Sequence, residues 1–149
     1  MAIVPLNLGA DTSPMPFLFK EEPANYSYDA FAQDGGTTWT GVKNPVAQKN
    51  LASVKKGDLV FYYHTGSEKQ IVGIAKASAN AYADPADGSG TAHVVDLVPV
   101  KKLKRPVTLA EIKADPRFAT FALTRIPRLS VMPVTEEQWN AILTLSERA

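Results

Sequence analysis

The chain has 149 residues, with 16 basic and 15 acidic side chains, a net charge of +1, 45% hydrophobic residues and no cysteine. This length and apolar content suit one domain with a true core, and the near-neutral charge excludes a global field drawing the protein onto nucleic acid or anionic membrane. The absence of cysteine removes disulfides, thiolate nucleophiles and Cys-based zinc sites together, and fits a reducing, cytoplasmic setting.

Residues 1–16 mix small apolar residues with Pro5, Pro14 and Pro16 and show neither helical nor strand periodicity, which predicts a surface arm ahead of a single domain over 17–149. No charged region followed by an apolar run opens the chain, and no stretch approaches about 18 apolar residues, so neither secretion nor a membrane span is expected. Phe17 to Lys20 reads as a short strand ended by Pro23. Ser27 caps a helix over Tyr28 to Gln33, with Asp29 in its first turn, and Gly35-Gly36 stops it.

Asn44 and Pro45 form a cap and first turn for the next helix, with Val46, Ala47, Leu51 and Val54 as its apolar stripe and Gln48, Lys49, Ser53 and Lys55 in water. Lys56, Gly57 and Asp58 end it. From Leu59 to His64 apolar and aromatic residues run without alternation, the mark of a strand covered on both faces and therefore central. Gly66 to Lys69 has hairpin composition, and Ile71 to Ala81 returns as an antiparallel partner.

Residues Ala83 to Thr91 read as an exposed loop, followed by a strand from His93 to Leu103 in which Pro99 marks an edge or a bulge. Thr108 and Glu111 form a capping box for a helix over Leu109 to Ala114. Phe118 to Ile126 is open between helix and strand, Leu129 to Val134 is a strand, and Thr135 starts a last helix with Trp139, Ile142 and Leu143 as its core face. Five or six short strands interleaved with short helices, and no long crossover helices, predict an α+β fold: a small, bent, mostly antiparallel β-barrel with helices packed around it.

Several motifs in this order resemble the EVE domain family, a branch of the PUA-like fold group related to ASCH and YTH domains. They are Leu18 to Pro23 (LFKEEP), Thr37 to Asn44 (TTWTGVKN), Gly57 to Thr65 (GDLVFYYHT), Gln70 to Ala77 (QIVGIAKA), Ala81 to Asp87 (AYADPAD) and Arg128 to Thr135 (RLSVMPVT). The likeness spans Phe17 to about Leu145. It implies a PUA-like barrel with a pocket for a flat heteroaromatic group, and a binding module for a modified nucleobase in DNA or RNA. The chain departs from the family at the pocket mouth. Pro45, Val46, Ala47, Gln48 and Lys49 stand where members usually carry Tyr-Gln-Ala-Arg-Asn, Thr40 replaces Asp, and Glu21 replaces Ser.

Trp39 lies in a polar, Gly-flanked turn, where a large ring is either a loop anchor packed on the core or one wall of a binding slot; with the resemblance it becomes the first candidate wall. Asn44 carries both a donor and an acceptor, the pattern that reads an amide-like base edge, and is equally a helix cap. His64 can meet a base edge or satisfy a backbone group at the strand end, and Ser130 a ligand or a neighbouring backbone. The resemblance adds Lys20, Glu21, Val42, Tyr63, Arg128 and Leu129 around the pocket, with aromatics of the Phe61 to Tyr63 strand as a second wall. Lys43, Lys49 and Arg125 are the phosphate-contact candidates, and the Lys101, Lys102, Lys104 and Arg105 run reads as a solvated face unless it lines the pocket.

The leading expectation is a monomeric, non-enzymatic reader that takes a base extruded from its stack, without cofactor, metal or membrane. Two alternatives stand beside it. One is a small-molecule or protein-interaction domain without nucleic acid. The other is a hydrolase using His64 with Asp58 or Asp96; a missing nucleophile elbow and the lack of clustered carboxylates weigh against it.

Overall fold

The computed structural model describes residues 15–148, so the expected N-terminal arm lies almost wholly outside the described residues. Among the described residues seven strands build one mixed sheet in the order β2-β6-β4-β3-β1-β7, with β5 attached to β6. β1 (Phe17–Glu21) pairs in parallel with β3 (Leu59–His64) and antiparallel with β7 (Val131–Pro133). β4 (Gln70–Ala77) joins β3 to the long β6 (His93–Thr108), which also carries β2 (Thr37–Trp39) and the short β5 (Tyr82–Ala83). All pairings except β1 with β3 are antiparallel, as the sequence predicts.

Bulges curl this sheet into a half-barrel. The β3–β4 register shifts between Tyr62 and Tyr63, and the β4–β6 register shifts twice, between Ile71 and Gly73 and between Ile74 and Ala75. Each extra residue bends and twists its strand. The second β4–β6 shift falls opposite Pro99 and Lys101, so Pro99 marks a bulge within an inner strand. Pro106 is tolerated for the same reason, because the ladder breaks between Lys102 and Val107. β6 therefore runs past the predicted end at Leu103.

β3 is buried at every position, the reason its residues do not alternate. On one face Phe61 stacks on Trp139 with ring centroids 3.9 Å apart. Trp139 belongs to α6 (Glu136–Ser146), which starts in a capping box on Thr135 and Gln138. On the opposite face Tyr62 meets Tyr28 and Phe31 of α2 (Tyr28–Asp34), with centroids 5.4 and 5.5 Å away. The Ser27 hydroxyl caps α2, and Gly35 ends it at φ 78°, a left-handed conformation open to glycine.

Several local expectations change. Pro23 ends β1 but also opens a one-turn helix, α1 (Pro23–Tyr26), capped by Glu22; the residue that breaks a strand suits the first turn of a helix equally well. In α3 (Pro45–Ala52) Val46 is 54% exposed, while Ala47, Leu51 and, just past the helix, Val54 are buried. Positions 47, 51 and 54 share one face, and Val46 lies about 100° away from it. β4 stops at Ala77 instead of Ala81, and the last strand shortens to three residues. The open segment after α4 (Leu109–Ala114) is helical: a 3-10 turn at Pro116–Phe118 and α5 (Ala122–Arg125). Among the described residues no helix is long and apolar enough to cross a membrane.

Gly73 lies beneath the Tyr28 ring, and a Cβ there would collide with the Tyr28 Cδ2, Cε2 and Cζ atoms. The ring cannot swing away cheaply, because its hydroxyl donates to Ile74 O at 2.8 Å. Gly73→Ala is expected to cost roughly 1–3 kcal/mol by overpacking, measurable by urea unfolding. Glu111 accepts a bidentate bond from Arg105 (3.0 and 2.6 Å) and caps α4, and the guanidinium is the main cause that holds its carboxyl down at about 2 against an ordinary 4.5. A depressed carboxylate stabilises the fold fully above its unfolded pKa and loses that contribution as pH falls toward the folded value. Thermal stability of wild type should therefore exceed that of Glu111→Gln at neutral pH, and the gap should close between pH 4.5 and about pH 2.

Candidate nucleic-acid interface

The Thr38–Asn44 segment leaves the sheet at β2 and enters α3, and a pocket opens on each side of it. The smaller, about 240 Å³, is lined by Glu21, Tyr26, Asp34, Thr37, Thr38, Trp39 and Thr40. Trp39 forms part of its floor but is only 6% exposed. Its ring leans on Phe19 and meets Tyr62 edge-on, both at 5.4 Å. Trp39 lies in strand β2 and not in the expected turn, because Thr37–Trp39 pairs with β6; its ring anchors the segment to the core and is among the residues lining the pocket. The remaining lining is polar and acidic. Tyr26 donates its hydroxyl to Asp34 Oδ2 at 2.7 Å, Thr38 donates to Asp96 Oδ1 at 2.8 Å, and Glu21 accepts from Glu22 N–H and the Asn25 amide. Burial, then the nearby Glu21 charge, pushes the Tyr62 hydroxyl well above its ordinary range, so Tyr62 stays a neutral donor, to Tyr26 O.

The larger cleft, about 620 Å³, lies between Gly41–Pro45 and the 84–93 segment. Gln48 spans it. Its amide donates to Val42 O (2.6 Å) and His93 O (3.2 Å) and accepts from His93 N–H (2.8 Å). Asp87 folds the opposite wall by accepting from the Ser89 hydroxyl and from the Ser89, Thr91 and Ala92 N–H groups; the Ser89 bond is the largest cause holding its carboxyl below the usual range. Val42 and Lys43 line this cleft, with Lys49 exposed one turn along α3.

Asn44 is exposed, and its side-chain oxygen accepts from Val46 N–H (2.9 Å) and Ala47 N–H (3.0 Å). The cap therefore consumes the acceptor and leaves the two amide N–H groups as its polar resource. Strand alternation divides the remaining candidates. Phe19, Glu21 and Tyr62 face the Trp39 side, whereas Lys20 and Tyr63 point to the opposite face, with Lys20 Nζ donating to Pro127 O at 2.7 Å and standing 5.7 Å from the Tyr63 ring. Of the three aromatics in Phe61 to Tyr63, only Tyr62 walls the Trp39 side. Ser130 and Leu129 belong near Lys20: Ser130 O accepts from Lys20 N–H at 2.9 Å, and the Leu129 side chain is buried. Arg125 and Arg128 are exposed on either side of Pro127.

His64 is enclosed. Its Nε2 accepts from Tyr28 N–H at 3.0 Å, so Nδ1 carries the proton and donates to Glu68 at 2.8 Å. Neither carboxylate considered for a hydrolytic pair approaches it. Asp58 sits at the far end of β3, about 20 Å along the strand, and accepts from Met15 and Lys55 N–H groups, while Asp96 is taken by Thr38 and Tyr82. The basic run on β6 is also neutralised in part: Lys102 pairs with Asp29 at 3.0 Å, and Arg105 with Glu111.

The fold and its motifs have known counterparts. Residues 16–145 match the EVE domain family. The chain belongs to that family. Thymocyte nuclear protein 1 of Gallus gallus is 34% identical over 143 residues, covering 80% of this chain and 59% of its own length. This chain thus spans about three fifths of that relative. A Rhodopseudomonas palustris protein solved by NMR shares 44% identity at a TM-score of 0.84, covering 89% of this chain and 92% of that one. Human thymocyte nuclear protein 1, crystallised in complex with 5-methylcytosine-containing DNA, superposes with a TM-score of 0.83 at 26% identity over 91% of this chain and 99% of that one.

Sequence reasoning did not find Tyr26, Asp34, Thr37 and Thr38 at the small pocket, or Asp84 and His93 at the cleft. The Ser27 cap and the Gly-Gly stop frame α2, which could have suggested that its two ends lie close to β2; the folding of 84–92 against Gly41–Pro45 carries no local signal. Gln48, read as a solvated helix position, is the clamp between the two walls. Gln48→Ala should strand the His93 N–H and free Val42, costing roughly 1–3 kcal/mol and speeding amide exchange at His93 while leaving exchange at Tyr62 unchanged.

Proposed function

We propose that this chain is a non-enzymatic reader of a modified nucleobase in DNA or RNA, with the base held in the pocket floored by Trp39. The observation that carries this is the human relative of the same fold bound to 5-methylcytosine-containing DNA, taken with an aromatic-floored, acceptor-rich pocket in this chain. Carboxylates accept from the exocyclic amine of cytosine, and Glu21 and Asp34 supply them here. An apolar ring edge at the floor suits a methyl substituent or the flat face of the base. Because Trp39 is wedged between Phe19 and Tyr62, it is rigid before any base arrives, which keeps the few kcal/mol of base extrusion from being compounded by ordering of the site.

In this reading the cleft on the other side of the Thr38–Asn44 segment takes the flanking strand. Val42 lies against it, Asn44 offers its amide N–H groups, and Lys43 and Lys49 meet phosphates. The enclosed His64 favours binding over hydrolysis. A reducing compartment, cytoplasm or nucleus, fits a chain without cysteine equally well.

Anisotropy titration of labelled oligonucleotides that differ only in cytosine against 5-methylcytosine tests the reading. Wild type should prefer the methylated strand, Glu21→Ala should lose roughly 1–3 kcal/mol of base discrimination, and Trp39→Phe should weaken the methylated complex selectively while keeping the fold. Trp39→Ala is unsuitable, since emptying that core site would cost about 3–5 kcal/mol of stability. Equal affinity of wild type for both strands, or wild-type preference in both variants, would sink the proposal.

A further inference from the structure

On the sheet face opposite Trp39, a second cleft of about 280 Å³ is lined by Lys20, Lys69 and Lys113 with Tyr63, Thr65, Gly66, Leu109, Leu123 and Pro127. Among the described residues three lysines and no acidic residue share this lining, the reverse of the acidic pocket floored by Trp39. The ammonium of Lys20 is half-buried; it donates to one carbonyl, Pro127 O, and lies near the Tyr63 ring. Two of its three N–H groups remain available for a ligand, and its burial alone lowers its pKa, a cost that an anion would relieve.

Neither of the nearby carboxylates, Glu68 and Glu22, is part of this lining. Glu68 accepts from His64 and Gln70 and faces an adjoining cleft that Lys69 and Lys113 also border. Glu22 caps α1, accepts from the Thr65 hydroxyl at 3.5 Å and packs its carboxylate against Gly66, without itself lining the cleft. The walls are built before any ligand arrives: Leu109 N–H donates to Lys69 O at 2.8 Å, tying α4 to the β3–β4 hairpin, and the Lys20–Pro127 bond ties β1 to the segment after α5. The hairpin is held by left-handed backbone at Gly66 (φ 73°) and at Lys69 (φ 48°), so Lys69 emerges from a tight, fixed turn.

We propose that this cleft is a phosphate-binding site, separate from the base pocket and formed by Lys20, Lys69 and Lys113. A phosphate group presents several acceptor oxygens on one centre, which matches lysines contributed to one cleft by three elements. The Tyr63, Leu109 and Leu123 side chains give the cleft an apolar wall, which strengthens that attraction. A phosphate group reaches the cleft either as part of a nucleic-acid strand or as a free phosphate ester. This inference stands on the cleft's own lining and survives failure of the base-reading proposal.

Amide chemical shifts of the full chain report occupancy when it is titrated with inorganic phosphate at constant ionic strength, with chloride as control. Saturable shifts at Thr65, Gly66 and Lys69 are expected with phosphate alone. They should require roughly tenfold or more phosphate in the Lys69→Gln/Lys113→Gln double variant, whose two exposed substitutions leave Tm near wild type. Phosphate shifts that do not saturate, or a double variant that titrates like wild type, would overturn the site. An unmodified single-stranded oligonucleotide that displaces phosphate from these amides identifies the strand as the source. One that leaves them untouched identifies a free phosphate ester. A Trp39→Phe variant that loses base preference while keeping these shifts separates the two pockets.

Discussion

The placement of Tyr62 is the constraint on which the rest depends. It is fully buried at the middle of a strand with both faces covered, and its ring touches Trp39, Phe31, Tyr28 and His64 while its hydroxyl donates to the carbonyl of Tyr26. Three segments separate in the sequence, α1–α2, β2 and β3, are thereby held on one side chain. Edge-to-face contacts of this kind fix orientation as well as distance. Trp39 thus has a defined pose without any ligand, and the small pocket inherits its shape from the core.

The parallel pairing of β1 with β3 explains why two pockets of opposite charge open at one end of the sheet. Two strands running together end together, so Lys20 and Glu21 lie beside Tyr63 and His64 in register. Alternation then sends Lys20 with Tyr63 to one face and Glu21 with Tyr62 to the other. The sheet separates the two pockets, with a low-dielectric layer between an acidic lining and a basic one. An adjacent pair of opposite charges, which on a helix or loop would form a weak surface contact, is here distributed between two pockets.

His64 shows how the same geometry removes a candidate chemistry. A strand-end histidine with a free nitrogen would be open to acid-base work, but here one nitrogen satisfies the first turn of α2 through Tyr28 N–H and the other holds Glu68. The ring locks α2 to the β3–β4 hairpin. Gln48 does the comparable work at the larger cleft, joining Val42 to His93 across a gap that no strand pairing closes.

Much of this architecture is legible in the sequence, because it is written in local chemistry. Caps at Ser27, Asn44, Thr108 and Thr135, the unbroken apolar run of β3, the hairpin at Gly66 to Lys69 and the family motifs all depend on residues close together in the chain. The strand-or-helix choice over Phe118 to Ile126, the one-turn helix after Glu22 and the exposure of Val46 were not legible. Each is decided by which face the rest of the protein covers. The candidate site divides in the same way: Trp39, Glu21 and Val42 could be named from motifs, while Tyr26, Asp34 and the Gln48 clamp arise only when α2 and the 84–93 segment close against β2 and α3. The sequence by itself determined the capped helices, the central β3–β4 hairpin and the family. Only the tertiary structure decided that Lys20 and Glu21 part company across the sheet, because the facing of a side chain follows from strand pairing and pleat, which no run of neighbouring residues encodes.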